Sequence, residues 1–393
     1  MNGVLYLAAR YLAYHKFKTA ILVLSITLIL YIPTGLRVLV HQSQQQLTAR
    51  AAATPLLIGA KGSPLELVLN SLYAGADVPG EMKYAEVAAV RETGFAEPIP
   101  LYIRFRAQED PIVGTALEYF SFRGLRIADG AMMTRLGDCV LGAAVAQRRG
   151  AAPGDAVVSS PEDVFDLAGV YPLKMRVTGV LARSDSPDDE AIFTDLKTTW
   201  LIEGRAHGHQ DLARPEAAGQ VLRKEGNVVA GSAAVVEFNE VTEDNIDSFH
   251  FHGDPSTFPI TAIIAAPEDH KSATLLMGRY QSPSQPLQIV RPLRVMEELL
   301  ATILTVQSFV FAALVIVGLA ALATAALVFL LSLRLRRREI ETMVKIGGSR
   351  KRIAAVMASE VAAAAGASVG LAALLTWMTR AFGSSVIRNL ITQ

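Results

Sequence analysis

A single cysteine, Cys139, excludes any internal disulfide, so the fold must be held by its buried core alone. An excess of either charge is also missing. The 37 Lys and Arg balance 37 Asp and Glu, which leaves no electrostatic footprint for nucleic acid. No GxxxxGK[ST] or HExxH occurs. The nearest approach to a phosphate loop, Lys345-Ile346-Gly347-Gly348-Ser349, has no strand before it and reads as a turn with a double glycine. Isolated serines, histidines and aspartates are too common to assemble a catalytic triad. The chain is therefore expected to carry no catalytic residue and no cofactor of its own.

Charge is absent altogether from Ala301 to Leu333, and then Arg334, Arg336, Arg337 and Arg338 arrive almost together. Such a run exceeds the roughly 20 residues a membrane helix needs and can project beyond the bilayer. With 51% hydrophobic residues and a positive mean hydropathy, the chain is rich for a soluble protein and poor for one lying mostly in lipid. A large water-exposed domain on a few membrane helices fits both facts. Another apolar run goes from Thr19 to Leu36, with Pro33 near its far end, and Arg37 closes it. It is longer than the core of a cleaved signal peptide, about 7–15 residues, and the small-x-small site Ala49-Arg50-Ala51 lies far beyond it. It is read as an uncleaved anchor. The last run extends from Ile353 to Trp377–Arg380. Arg10, Lys16 and Lys18 precede the first run, and eight Lys or Arg against two Glu fill Arg334 to Arg352. The positive-inside rule places the N-terminus and that connection in the cytoplasm and exports the stretch between them.

The expected organisation is a membrane protein with three transmembrane α-helices and a large α+β extracytoplasmic domain between the first and second. Residues 1–18 form an interfacial helix with Val4, Leu5, Ala8, Tyr11 and Leu12 on one side. Transmembrane helix 1 covers 19–40, the extracytoplasmic domain 41–298, transmembrane helix 2 with a stalk 299–333, the cytoplasmic connection 334–352, transmembrane helix 3 353–380 and an extracytoplasmic tail 381–393. In the domain, Leu56–Gly59 reads as a strand, and Ser63-Pro64 caps a helix through Tyr73. Met82–Glu92 reads as helix, Pro98–Arg106, Pro111–Ala116 and Asp138–Leu141 as strands, and Leu173–Leu181 as a half-buried alternating strand. Helix is expected again over Leu196–Ile202 and Glu268–Tyr280, with strands at Ala230–Phe238 and Ile260–Ala266.

Three sets of residues stand out. Gly366 and Gly370 have GxxxG spacing in the third run, which lets a second helix approach closely but also arises easily among so many alanines. Glu360, the one carboxylate of that run, is read as an interfacial partner of Arg352 or Lys351 in preference to a transport site. Five of the seven histidines lie between His207 and His270, in part as the pairs His207/His209 and His250/His252. On a strand, the period of two puts both imidazoles of a pair on one face, where they could share a metal ion. Two ligands do not complete a structural zinc site. Gly204–Gln210 reads as a polar loop, so His250 and His252, in Phe249-His250-Phe251-His252, are the metal candidates.

The connection carries apolar Ile340, Met343, Val344 and Ile346 at helical spacing between basic flanks. By itself it fits either a segment docking in a groove on a cytoplasmic partner or a basic loop resting on anionic lipid. Arg336-Arg337-Arg338-Glu339-Ile340, running through Lys345-Ile346-Gly347-Gly348-Ser349-Arg350-Lys351-Arg352 into a span, resembles the coupling segment of the FtsX-like (MacB/LolCE-type) permeases of ABC transporters. The N-terminal elbow and anchor, and the large domain after the first span, add to the likeness. Gly59-Ala60-Lys61-Gly62-Ser63-Pro64-Leu65 is similar to a stretch after the first span in a subset of these permeases. The resemblance implies a non-catalytic subunit whose separate ATPase dimer holds ATP and Mg and grips Glu339, Ile340, Met343, Ile346, Gly347 and Gly348. It further implies pairing with a second permease copy or paralogue, periplasmic or lipoprotein partners, and export, extraction or mechanotransmission by the moving domains. The family usually has four spans, and this sequence shows three. The competing reading is a membrane-anchored periplasmic sensor or metal-binding scaffold with no ATPase.

Overall fold

The computed structural model describes residues 2–75, 77–161, 172–208, 221–225, 228–231, 238–282 and 285–391. In chain order, helices α1 (Asn2–Tyr14) and α2 (Lys16–Ala52) lead to β1 (Leu56–Ala60), α3 (Pro64–Tyr73), β2 (Met82–Lys83), α4 (Ala85–Glu92), β3 (Ala96–Ala107), β4 (Asp110–Thr115), α5 (Glu118–Arg123), β5 (Ile127–Gly130), β6 (Asp138–Leu141) and α6 (Ala143–Arg149). There follow β7 (Ala156–Val158), β8 (Lys174–Leu181), β9 (Ile192–Asp195), α7 (Leu196–Ile202), β10 (Ala206–Gly208), β11 (Val221–Glu225), β12 (Val228–Gly231) and β13 (Phe249–Phe251). The chain continues with β14 (Pro259–Ile260), β15 (Ala262–Pro267), α8 (His270–Arg279), β16 (Leu287–Val290), α9 (Pro292–Leu335), α10 (Arg337–Lys345) and α11 (Arg350–Ile391). These elements form two compact units, residues 50–296 and residues 1–49 with 297–393.

The first unit is built on a mixed ten-stranded sheet in the order β16-β1-β15-β3-β4-β9-β6-β8-β5, with β7 also on β8. Neighbours are antiparallel except β4/β9 and β6/β8. Helices α3, α4, α7 and α8 lie against the long β3, and β6 throughout and β1 up to its last residue are buried. The alternating strand β8 buries Met175, Val177 and Leu181. In the core, Trp200 donates Nε1–H to the Pro259 carbonyl at 2.8 Å and meets Tyr84 and Phe258 edge-on at 5.2 Å each. Burying each such ring stabilises the domain by about 1.5–3 kcal/mol. Cys139 is buried and free; burial pushes its thiol up to about 12, so it is inert packing.

The stretch Gly59–Leu65 is strand, turn and capped helix. Ser63 accepts from the Glu66 amide and Pro64 occupies the first helical turn. A Cβ on Gly59 would sit 2.4 Å from Leu67 Cδ1, so the glycine lets α3 lie close on β1. We expect Gly59→Val to destabilise this unit by about 1–3 kcal/mol through overpacking. A thermal melt of the full-length protein in detergent, followed by Trp200 fluorescence in a Trp377→Phe background, reads this directly.

Two expectations change here. Met82–Glu92 is not one helix: Met82–Lys83 pairs with Pro259–Ile260 as a strand, and helix begins at Ala85. Gly204–Gln210 is not simply a loop, because Ala206–Gly208 is strand β10. Part of the strand expected at Ala230–Phe238, and His209, lie outside the described residues.

Among the described residues, three helices are long and apolar enough to cross a membrane, over Lys16–Gln42, Pro292–Val328 and Arg350–Gly383. Helices α2 and α11 are joined by hydroxyl contacts. Ser368 Oγ donates to the Val23 carbonyl at 3.2 Å, Tyr31 and Thr379 hydroxyls meet at 2.9 Å, and Thr34 and Thr376 at 3.1 Å. Helix α11 presents Ala364, Ser368 and Ala372 to this buried seam. Such small and hydroxylated residues let helices approach where lipid removes the hydrophobic drive. Gly366 and Gly370 lie on the other side of α11, exposed, where an added methyl at either would meet no atom within 4 Å. Helix α1 packs on α11, with Ala8 buried.

Candidate functional site

The connection between the second and third apolar helices is the most distinctive feature of its unit. Helix α9 ends at Leu335 and α10 begins at Arg337, with Arg336 at φ −85°, ψ 4°, outside helical geometry. The Arg336 side chain explains the break. Its Nη1 donates to Glu360 Oε2 at 3.0 Å, and its guanidinium lies 3.6 Å from the centre of the Tyr11 ring. Both partners of the ion pair are largely buried, at 13% and 6% side-chain exposure, so the pair gains strength from its low-dielectric setting. Glu360 thus pairs with Arg336 and not with Arg352 or Lys351, because the kink brings Arg336 back over α11.

At its other end α10 is closed by a double glycine. The Gly348 amide donates to Met343 O at 2.9 Å and the Gly347 amide to Val344 O at 3.0 Å, with Gly347 at φ +98°. This is a Schellman closure, and the left-handed residue at its centre favours glycine. A Cβ on Gly348 would come within 2.7 Å of the Met343 carbonyl oxygen. Ser349 then restarts the chain by accepting from the Arg352 amide. The turn is thereby fixed by local sequence at one end and by Arg336 at the other.

Between these anchors, α10 displays Met343 and Ile346 at 41% and 81% exposure, with Val344 also exposed and Ile340 half-buried. Arg337 and Glu341 pair across one helical turn at 3.2 Å on its surface. Glu339 also belongs to α10, and Gly347 and Gly348 form its C-terminal turn. The short helix, held at both ends, thus leaves these apolar side chains exposed in one stretch.

The sheet unit carries a second cluster, in which His207 of β10 stands directly across from His250 of β13, and His252 follows on the same face. One ligand nitrogen from each of the three lies within 4.8 Å of the others. His250 and His252 come together as their spacing implies. The third member, His207, was hidden by the polar character of its segment.

A buried ion pair of the sheet unit is likewise invisible in the sequence. Arg50 Nη1 and Nη2 donate to Asp188 Oδ2 and Oδ1 at 2.6 and 2.8 Å, and Tyr119 donates its hydroxyl proton to Asp188 Oδ1 at 2.7 Å. Burial alone would raise the Asp188 carboxyl, but the Arg50 hydrogen bond and charge, the Tyr119 hydroxyl and nearby Arg123 outweigh it and hold it below the usual carboxylate range.

Comparison with known proteins supplies the context. A family model for the MacB-like periplasmic core domain matches residues 19–237, more than half of the chain. No curated protein matches. Among solved structures, the periplasmic region of MacB from Actinobacillus actinomycetemcomitans is similar at 11% identity, covering 63% of this chain and 92% of that one, with a TM-score of 0.33. The extracellular domain of the noncanonic ABC-type transporter YknZ from Gram-positive bacteria is similar at 12% identity, covering 60% and 98%, with a TM-score of 0.31. With its MacB-like core domain and its three apolar helices, this chain belongs to the MacB/FtsX-like family of ABC transporter permeases.

Proposed function

We propose that this permease couples ATP hydrolysis by a separate ABC ATPase to movement of its periplasmic domain, for export, extraction or mechanotransmission. The observation that carries the reading is α10, a short helix between two apolar helices, pinned by Arg336 and the Gly347-Gly348 turn while Met343, Val344 and Ile346 face outward. The ATPase dimer binds ATP and Mg, and this chain supplies the docking ridge. The arginine-rich flank of α10 and the basic N-terminus lie in the cytoplasm of the inner membrane, with the sheet unit on the opposite side. A second permease, copy or paralogue, completes the complex, and the open Gly366/Gly370 face of α11 suits close approach of one of its helices.

A tagged full-length chain should recover an ABC ATPase from native membranes under mild extraction, with measurable ATP turnover. Met343→Glu and Ile346→Glu each place a carboxylate on the ridge and should weaken recovery by roughly 10- to 100-fold, the cost of losing one buried apolar contact. Recovery insensitive to both changes would overturn docking through α10. The absence of any ATPase overturns the coupled-permease reading in favour of a periplasmic sensor or scaffold.

A further inference from the structure

Strands β10 and β13 form a two-stranded antiparallel ribbon with register Ala206↔Phe251, His207↔His250 and Gly208↔Phe249. The His252 amide donates to Arg205 O at 2.9 Å and extends the pairing by one position. Side chains opposite one another share a face, and alternation sorts this ribbon cleanly. Ala206, Phe249 and Phe251 pack on the core, Phe251 lying 6.1 Å from the Phe258 ring that itself abuts Trp200. The other face therefore presents His207, His250 and His252 to solvent. Because the phenylalanines are committed to the core, the imidazoles cannot be turned inward without unpacking it.

The three rings form a nearly equilateral triangle, with centroids 4.9, 4.6 and 4.8 Å apart. Tetrahedral bonds of about 2.0–2.1 Å to one ion require nitrogens about 3.3 Å apart. The closing movement from the present spacing is on the order of 1 Å, within reach of side-chain rotation because two of the rings are exposed. One ligand is already oriented. His250 Nδ1 lies 3.1 Å from the Ser248 carbonyl, which can only accept, so Nδ1 is the donor in that contact and a metal bond would fall to Nε2. Arg205 shares this face, but its guanidinium is paired with Glu203 at 3.0 Å, which offsets the repulsion a bound cation would meet.

From this arrangement we infer that His207, His250 and His252 form an open site for a divalent first-row transition ion on the solvent face of the periplasmic domain. Three neutral imidazoles suit Zn²⁺, Cu²⁺ or Ni²⁺, whereas Ca²⁺ and Mg²⁺ require oxygen ligands. Three protein ligands leave a coordination position for water or for a donor from another molecule, the pattern of a reversible or reactive site and not of a closed structural one. A bound ion ties β10 to β13, so it adds a cross-link between the two strands.

The test uses the full-length protein in detergent, purified with a tag that contains no histidine. Zn²⁺ is titrated in competition with a chromophoric chelator, and Co²⁺ is added separately as a spectroscopic probe. The expected result is one Zn²⁺ per chain with a Kd of about 1 µM or below, Co²⁺ bands of tetrahedral intensity, and a weakening of about tenfold or more in each of His207→Ala, His250→Gln and His252→Ala. The Trp200 melt without metal should be unchanged in His250→Gln and His252→Ala, which separates lost ligation from lost folding. Binding that survives the triple replacement, or no binding above that of Mg²⁺, overturns the site. The result needs neither ATPase nor transport substrate, so it stands or falls separately from the transporter reading.

Discussion

Arg50→Ala should destabilise the sheet unit by about 3–5 kcal/mol. The reason is what it leaves behind. Asp188 is 3% exposed, and without Arg50 its carboxylate keeps only the Tyr119 and Ser186 hydroxyls as hydrogen-bonding side chains. Arg123, over the Tyr119 ring at 5.7 Å, retains some positive potential, which favours the lower end of that range. Replacing both members, Arg50→Leu with Asp188→Leu, should cost less than Arg50→Ala, since no unpaired charge then remains buried. The Trp200 melt again reads the outcome; a double variant as unstable as the single one would mean that shape, not charge, holds this region.

The pH dependence has a definite sign. The folded Asp188 carboxyl titrates below its unfolded range, so the unfolded state takes up a proton first as pH falls. The stabilisation is complete above the unfolded carboxylate range near pH 4 and is lost as pH drops through the depressed folded value. Arg50 stays charged throughout, its guanidinium raised by Tyr119 and Asp188 despite the opposing effect of burial. In Asp188→Asn the melting temperature should fall less steeply with acidification than in the parent.

The second large effect concerns α10. Arg336→Ala should free the kink between α9 and α10, because it removes both the Glu360 ion pair and the stack on Tyr11 while leaving Glu360 buried with one oxygen already unpartnered. Amide hydrogen exchange over Arg337–Lys345 should accelerate by about tenfold or more in the full-length protein, equivalent to about 1.4 kcal/mol of local opening. Arg336→Lys keeps the charge but loses the planar stack, so it should fall between. On the proposed coupling, ATPase recovery declines in the same order although the docking ridge itself is untouched. Exchange in α10 that is unaltered in Arg336→Ala would show that the Gly347-Gly348 turn alone positions the helix.

The apolar runs, the alternating strand Leu173–Leu181, the Ser63-Pro64 cap and the double-glycine stop all depend on neighbours a few residues apart, and each could be read directly from the chain. So could the exposed pattern of Met343, Val344 and Ile346, since helical spacing defines a face before anything packs on it. The partner of Glu360 could not, because Arg336 is 24 positions away and reaches it only once α9 stops short. Nor could the packing face of α11. Ala364, Ser368 and Ala372 are offset by two residues from Gly366 and Gly370, a rotation of about 200° that composition cannot distinguish in an alanine-rich helix.

The same division holds in the sheet unit. Strand β10 has three residues, too few for alternation to register, and it exists because β13 supplies its hydrogen bonds. His207 joins His250 only through that pairing, although the two lie 43 apart in sequence with no local signal of it, and the same is true of Arg50 and Asp188, 138 apart in sequence. The amino-acid sequence by itself determined the apolar helices, the charged residues that flank them and the local starts and stops of most elements, since these follow from covalent neighbours and backbone preference. Only the tertiary structure decided which distant charges neutralise each other, which face of each helix is spent on packing and which three imidazoles converge, because each of these depends on chain segments meeting after the core has formed.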